Sequence, residues 1–184
     1  MDISRQIDYD ITYMKMAICM SELSYAVRSK VGCIIISDDK QIISQGFNGM
    51  PHGMDNCCEY WRPIDKSLCN KCKNTFSKDC NCNNKELVTK KEVLHAESNA
   101  ISKCAKWEAS TEGATCYVTL SPCIDCSKLL IQAGIRRVVI KDIYRIPDGL
   151  KLLIECGIIV EMLDIENKTL KNIDIKFLND KYNL

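Results

Sequence analysis

The sequence predicts an α/β protein: a three-layer α/β/α sandwich built on a mixed five-stranded sheet. Three observations carry this. Residues 9–28 repeat apolar side chains at helical spacing. Several short runs of β-branched residues end at turn signals. From residue 96 onward, helical and strand patterns alternate.

In order, Tyr13, Met16, Ala17, Met20, Leu23, Ser24 and Val27 fall on one side of a helix over 9–28, with Cys19 read as a core residue. Residues 31–37 form a strand that stops at the turn signal Asp38, Asp39, Lys40, and residues 41–47 return as its hairpin partner. A loop with two glycines and a proline follows over 48–53. Residues 97–106 read as a helix and 113–120 as a strand. Residues 123–133 form a helix closed by Gly134, a suitable left-handed end. Val138, Val139 and Ile140 make 136–141 a strand apolar on both faces, as expected under two helical layers. A helix over 148–156 and a strand over 158–163 complete the pattern. The tail from Asp164 is expected to pack loosely or to serve contacts between subunits.

Residues 54–92 break the alternation and crowd in Cys57, Cys58, Cys69, Cys72, Cys80 and Cys82. An irregular stretch of this length needs something to tie it down. The pair Cys69 and Cys72, taken with Cys80 and Cys82 or with Cys57 and Cys58, suits a closed structural zinc site. His52 could replace one cysteine. The plainer reading is an unstructured insertion with free thiols. One domain over 1–184 carrying a zinc-pinned insertion over 54–92 is the expected organisation.

Lys and Arg number 25 against 24 Asp and Glu, which disfavours a protein living on nucleic-acid phosphates. Thirteen cysteines could suggest a secreted disulfide scaffold, but the number is odd and the chain is too large to need staples. Residues 1–10 carry Asp2, Arg5, Asp8 and Asp10, unlike a signal segment. No run approaches the ~20 apolar residues that cross a bilayer. A reducing, cytoplasmic setting with metal-bound cysteines is expected.

The chemistry concentrates in two short stretches: His95, Ala96, Glu97, then Ser121, Pro122, Cys123, Ile124, Asp125, Cys126. One imidazole and two thiolates supply three zinc ligands and leave the fourth tetrahedral position for water, whose pKa the metal lowers to about 7. Glu97, two residues after His95, is placed to handle protons rather than to ligate. Ser121 suits a helix N-cap and Pro122 the first helical position. Cys123 and Cys126 then share the opening turn, where the helix dipole favours thiolates. Separately, a C-x-x-C can be a redox pair and an H-x-E two surface residues. Jointly, with the proline, they point to a catalytic zinc.

With the flanking residues, the chain resembles the deoxycytidylate (dCMP) deaminases. The resemblance rests on Val31 to Ile35, the Gly46, Phe47, Asn48, Gly49, Met50, Pro51 loop, His95 with Glu97 and Asn99, and Tyr117 through Cys126. Gln132 to Ile135 and Tyr144 with Arg145 continue it. The cysteine-rich insertion resembles that of the phage and viral branch. The zinc motif alone would also suit tRNA adenosine, guanine and riboflavin-pathway deaminases, and the loop and insertion carry the assignment to dCMP. The resemblance implies a cytidine deaminase-like fold and zinc-dependent hydrolysis of dCMP to dUMP and ammonia, with Glu97 as proton shuttle. It implies that the backbone at Ala96 and Ser121 meets the base, that Asn48 contacts sugar or base, and that Tyr144 closes over the substrate. For the 5′-phosphate, Arg28, Ser29 and Lys30 are the candidates, against the plainer view of a solvated helix end. Arg136 and Arg137 are weaker candidates, read as strand-edge charges. The resemblance further implies a homohexamer, activated by dCTP and inhibited by dTTP. The regulator, accompanied by Mg²⁺, would lie near Asn48, Gly49, Met50 and Gly53, where glycines let backbone N–H groups reach phosphates. The plainer view is a tight turn. A silent zinc module that binds nucleotides is the contrasting class, and Glu97 speaks against it.

Overall fold

A computed structural model of the chain describes residues 3–63 and 85–182. Its elements are α1 (Ile3–Glu22), β1 (Gly32–Ile36), β2 (Ile42–Phe47), β3 (Glu59–Pro63), β4 (Lys85–Thr89), α2 (Ala96–Lys106), β5 (Thr115–Leu120), α3 (Ile124–Gln132), β6 (Arg137–Asp142), α4 (Asp148–Glu155), β7 (Ile159–Asp164), β8 (Thr169–Asn172) and α5 (Ile175–Tyr182).

The first helix ends earlier than its apolar stripe suggests. Tyr13, Met14 and Ala17 are buried, but Leu23 and Val27 are exposed, as is Cys19, which is not a core residue. The cause is competition for backbone donors. The Ser24 hydroxyl accepts the Ala26 N–H (3.2 Å), and the Glu59 carboxylate accepts those of Val27 (3.1 Å) and Arg28 (3.3 Å). Side-chain acceptors that satisfy these N–H groups make an irregular turn cheaper than another helical turn.

The main sheet runs β2-β1-β5-β6-β7-β8. β1 is antiparallel to β2 and β5, β5 through β7 are parallel, and β8 returns antiparallel to β7. The mixed sheet is therefore six-stranded rather than five. The extra strand comes from the tail expected to pack loosely. Asp164 accepts the backbone N–H groups of Glu166 and Asn167 (both 3.0 Å), closing a turn that sends β8 back along β7. Asp174 then caps α5 through the Phe177 N–H (2.7 Å), and Ile173 and Leu178 are buried.

Alternate side chains of each strand serve opposite layers. Ile34, Ile36, Tyr117, Val139 and Leu163 pack under α1. Cys33, Ile35, Cys116, Val118, Val138 and Ile140 pack under α2, α3, α4 and α5. Under α1, Asp10 is fully buried and accepts from both Arg137 (2.7 and 2.9 Å) and the Tyr117 hydroxyl (2.6 Å), while Arg137 also donates to Glu161 (2.6 Å). Arg137 is thus no strand-edge charge; it pins α1 to the sheet. Arg136 is exposed.

The insertion is less irregular than expected. Its ends pair as a separate antiparallel hairpin, β3 with β4, in the register Glu59 to Thr89 and Trp61 to Leu87. Cys58 is buried against Ala26 and Val93, which makes it a core residue. Cys57 is exposed. Cys69, Cys72, Cys80 and Cys82 lie outside the described residues. Among the described residues, no helix is long and apolar enough to cross a membrane.

Candidate active site

Two helix starts converge at one point. His95 and Cys123 occupy the capping positions of α2 and α3, with extended backbone (φ −74°, ψ 158° and φ −73°, ψ 171°). The cap of α3 therefore falls two residues later than Ser121. Cys126 is the third residue of that helix, the position a capping side chain normally reaches. That geometry is why a C-x-x-C at a helix start brings its two sulfurs together. Ser121 instead uses its hydroxyl to accept the Tyr144 N–H (2.8 Å).

The approach of the helices depends on two glycines. A Cβ on Gly46 of β2 would stand 2.2 Å from the Ala96 carbonyl oxygen and 2.7 Å from the Ala100 nitrogen. On Gly149 of α4 it would stand 2.2 Å from the Pro122 carbonyl oxygen. Only hydrogen at these positions lets the strand and the helix press on the backbone that presents His95 and Cys123.

Both sulfurs lie 3.4 Å from His95 Nδ1, and the three donor atoms are all within 4.8 Å of one another. A tetrahedral zinc with ordinary Zn–S and Zn–N bonds needs nitrogen–sulfur edges of about 3.5 Å. The donor set and its spacing fit zinc. Without metal, the hydrogen bond from the Cys126 thiol, aided by His95, holds Cys123 down to about 4, and the same bond together with burial pushes Cys126 up. His95 is raised by its bond to Cys123. One thiolate and one thiol thus share a proton that metal binding would release.

Glu97 sits beside this cluster and is 3% exposed; burial pushes it up to about 7. The cluster and Glu97 open into a cleft of about 360 Å³, a size suited to a small-molecule ligand. Of the residues expected to meet substrate, Arg28, Asn48, Ala96, Ser121 and Tyr144 line it, and so does Ser29. Lys30 does not; its ammonium turns to the Glu22 carbonyl (3.4 Å). Asn48 carries an added structural load, its side chain bridging the Ser29 carbonyl (2.9 Å) and the Val31 N–H (2.8 Å). The Ser121 N–H is already given to the Asp142 carbonyl (2.9 Å).

The loop expected to hold a regulator offers fewer donors than its glycines promise. The N–H groups of Asn48, Gly49 and Met50 donate to the Val31 carbonyl, the Leu94 carbonyl and the Asn56 side chain respectively. Only Gly53, exposed at φ +91°, stands clear. Two polar cleft residues escaped the sequence reading, Glu59 and Thr89. Both lie in the insertion, where no periodic pattern marks a wall of the site.

The model of the cytidine and deoxycytidylate deaminase zinc-binding region matches residues 8–142. The deoxycytidylate deaminase of Enterobacteria phage T4 is 33% identical over 92% of this chain and 96% of its own length. This chain belongs to the cytidine and deoxycytidylate deaminase family. Its zinc-binding character therefore rests on family membership as well as on the His/Cys/Cys cluster. The human deoxycytidylate deaminase is 33% identical over 69% of this chain and 61% of its own. Among solved structures, the dCMP deaminase of cyanophage S-TIM5 in complex with dCMP and dUMP superposes with a TM-score of 0.68. It shares 35% identity over 85% of this chain and 97% of that one. As in these deaminases, the fold is a mixed sheet layered by helices.

Proposed function

We propose that this chain deaminates dCMP hydrolytically to dUMP and ammonia. The observation that carries the reading is a buried acid, Glu97, beside a His/Cys/Cys donor set in one nucleotide-sized cleft. The names of its phage and human relatives support dCMP as the substrate. His95, Cys123 and Cys126 would hold zinc, which would supply the Lewis acidity that makes water nucleophilic near neutral pH. Attack forms the C4–O bond and later breaks the C4–N bond. Glu97, poised near neutrality by burial, accepts the proton of the attacking water. It delivers that proton to the ring nitrogen beside carbon 4, then carries the proton of the new C4 hydroxyl to the leaving amine, so that the two hydrogens of water end on the ring nitrogen and in ammonia. Ala96 and Ser121 border the base, Asn48 the sugar and Tyr144 the open side. Arg28 is the cation for the 5′-phosphate.

The insertion, in the same reading, holds a second, structural zinc through four sulfurs, those of Cys57 and three of Cys69, Cys72, Cys80 and Cys82. The exposed thiol of Cys57 at the base of the hairpin supports it. Likeness to the family supports a homohexamer responsive to dCTP and dTTP, with Mg²⁺ accompanying the triphosphate. The open turn at Gly53 is the part of the 48–53 loop left to receive it. A sigmoidal rate curve straightened by dCTP supports this regulation, and hyperbolic kinetics indifferent to both triphosphates removes it.

The test is ammonia release from a panel of cytosine, adenine and guanine nucleotides by the zinc-loaded protein, alongside Glu97→Ala. Selective turnover of dCMP, lost by orders of magnitude in the variant, is expected. Turnover of another base, or near-normal turnover without Glu97, overturns the proposal.

A further inference from the structure

The cleft has a wall that the zinc chemistry does not use. It is made by β3 and β4, the ends of the cysteine-rich insertion. Glu59 and Thr89 face one another in the register of that hairpin, and both line the cleft. Both also engage the same residue. Glu59 is 7% exposed, and its carboxylate accepts the backbone N–H groups of Val27 (3.1 and 3.2 Å) and Arg28 (3.3 Å). The Thr89 hydroxyl accepts from the Arg28 guanidinium (3.2 Å). The hairpin thus holds Arg28 at both ends, by its backbone and by its charged head.

The burial of Glu59 makes this grip specific. A carboxylate taken from water is stable only where donors replace the water, and the N–H groups it finds belong to the turn that carries Arg28. That turn is otherwise secured by the Ser24 hydroxyl on the Asn48 carbonyl (2.7 Å) and by the Asn48 amide on Ser29 and Val31. An arginine left to itself ranges over many rotamers. One whose main chain and head are both held meets an anion with less entropy to lose.

We propose that the β3–β4 hairpin is a specificity element, in which Glu59 and Thr89 are positioning residues that aim Arg28 at the 5′-phosphate. The insertion then sets the preference for a nucleoside monophosphate over a nucleoside. This inference rests on the assignment of Arg28 to the phosphate, and the experiment separates the two.

The measurement is kcat/KM for dCMP and for deoxycytidine, whose ratio reads phosphate recognition alone, on zinc-loaded full-length protein. Arg28→Ala should lower the ratio by more than tenfold. Thr89→Val, similar in shape but without the hydroxyl, should lower it about tenfold. Thr89→Ser should recover it. Glu59→Gln removes a negative charge from the cleft, which by simple repulsion would tighten phosphate binding. Positioning predicts the opposite, a raised KM for dCMP. An unchanged ratio in Arg28→Ala overturns the phosphate assignment and the inference with it. A lowered ratio there, with Thr89→Val and Glu59→Gln both at the wild-type value, overturns the inference alone. So does a lowered KM in Glu59→Gln, or a further loss of the ratio when Thr89→Val is added to Arg28→Ala.

Discussion

Replacing Glu97 by glutamine separates what the acid does for catalysis from what it does to stability. The side chain is 3% exposed and burial raises it from 4.5 to about 7. The folded, metal-free protein therefore binds this proton more tightly than the unfolded chain does. Between pH 4.5 and 7 the folded state carries the extra proton, so stability falls as pH rises through that window. The shift corresponds to about 3 kcal/mol, present at the acid end and lost above pH 7. Glutamine keeps the shape and has no such proton to lose. Metal-free Glu97→Gln should gain on the wild type by up to about 3 kcal/mol at pH 8 relative to their difference at pH 4.5. Urea unfolding of chelator-treated protein at the two pH values measures this. The zinc-loaded variant should lose at least about 10²- to 10⁴-fold in turnover. A stability difference between the two proteins that does not change with pH refutes an ionisable acid buried at this position. Retained turnover refutes its role with protons.

Other consequences are equally direct. Gly46→Ala drives a Cβ to 2.2 Å from the Ala96 carbonyl oxygen, so α2 must shift. Urea unfolding should show a loss of about 1–3 kcal/mol, and competition with a chelator should show weaker zinc binding. Asp10→Asn leaves Arg137 with Glu161 as its remaining charged partner and weakens the hydrogen bonds at the fully buried carboxylate, which should cost about 1.5–3 kcal/mol, whereas Tyr117→Phe should cost about 1. Thermal unfolding of both variants checks the order. Cys57→Ser should lower metal content from two zinc ions per chain to one. Cys58→Ser should instead destabilise by about 1–3 kcal/mol, because its side chain is buried against Ala26 and Val93.

The metal cluster was legible because its parts are local. His95 with Glu97, and Pro122 with Cys123 and Cys126, each fit within one turn of chain, so spacing alone states their geometry. The α/β alternation was legible for the same reason: strand and helix periods are properties of neighbouring residues. Strand β8 and helix α5 were not, since their signals are the single aspartates Asp164 and Asp174, whose capping role shows only once β7 and the core give the tail something to pack on. The early end of α1 was hidden too, because Glu59, over thirty residues away, takes the backbone donors that another helical turn would have used.

By itself, then, the chain's residue order determined the layered α/β architecture, the zinc donors and the acid beside them. Only the tertiary structure decided the rest. It turned Lys30 away from the cleft, spent the donors of the 48–50 loop on the protein's own carbonyls and side chains, paired Arg137 with the buried Asp10 under α1, and brought Glu59 and Thr89 to Arg28. The physical reason is that a donor's partner is settled by whichever acceptor folding brings within reach, and distance along the chain does not reveal it.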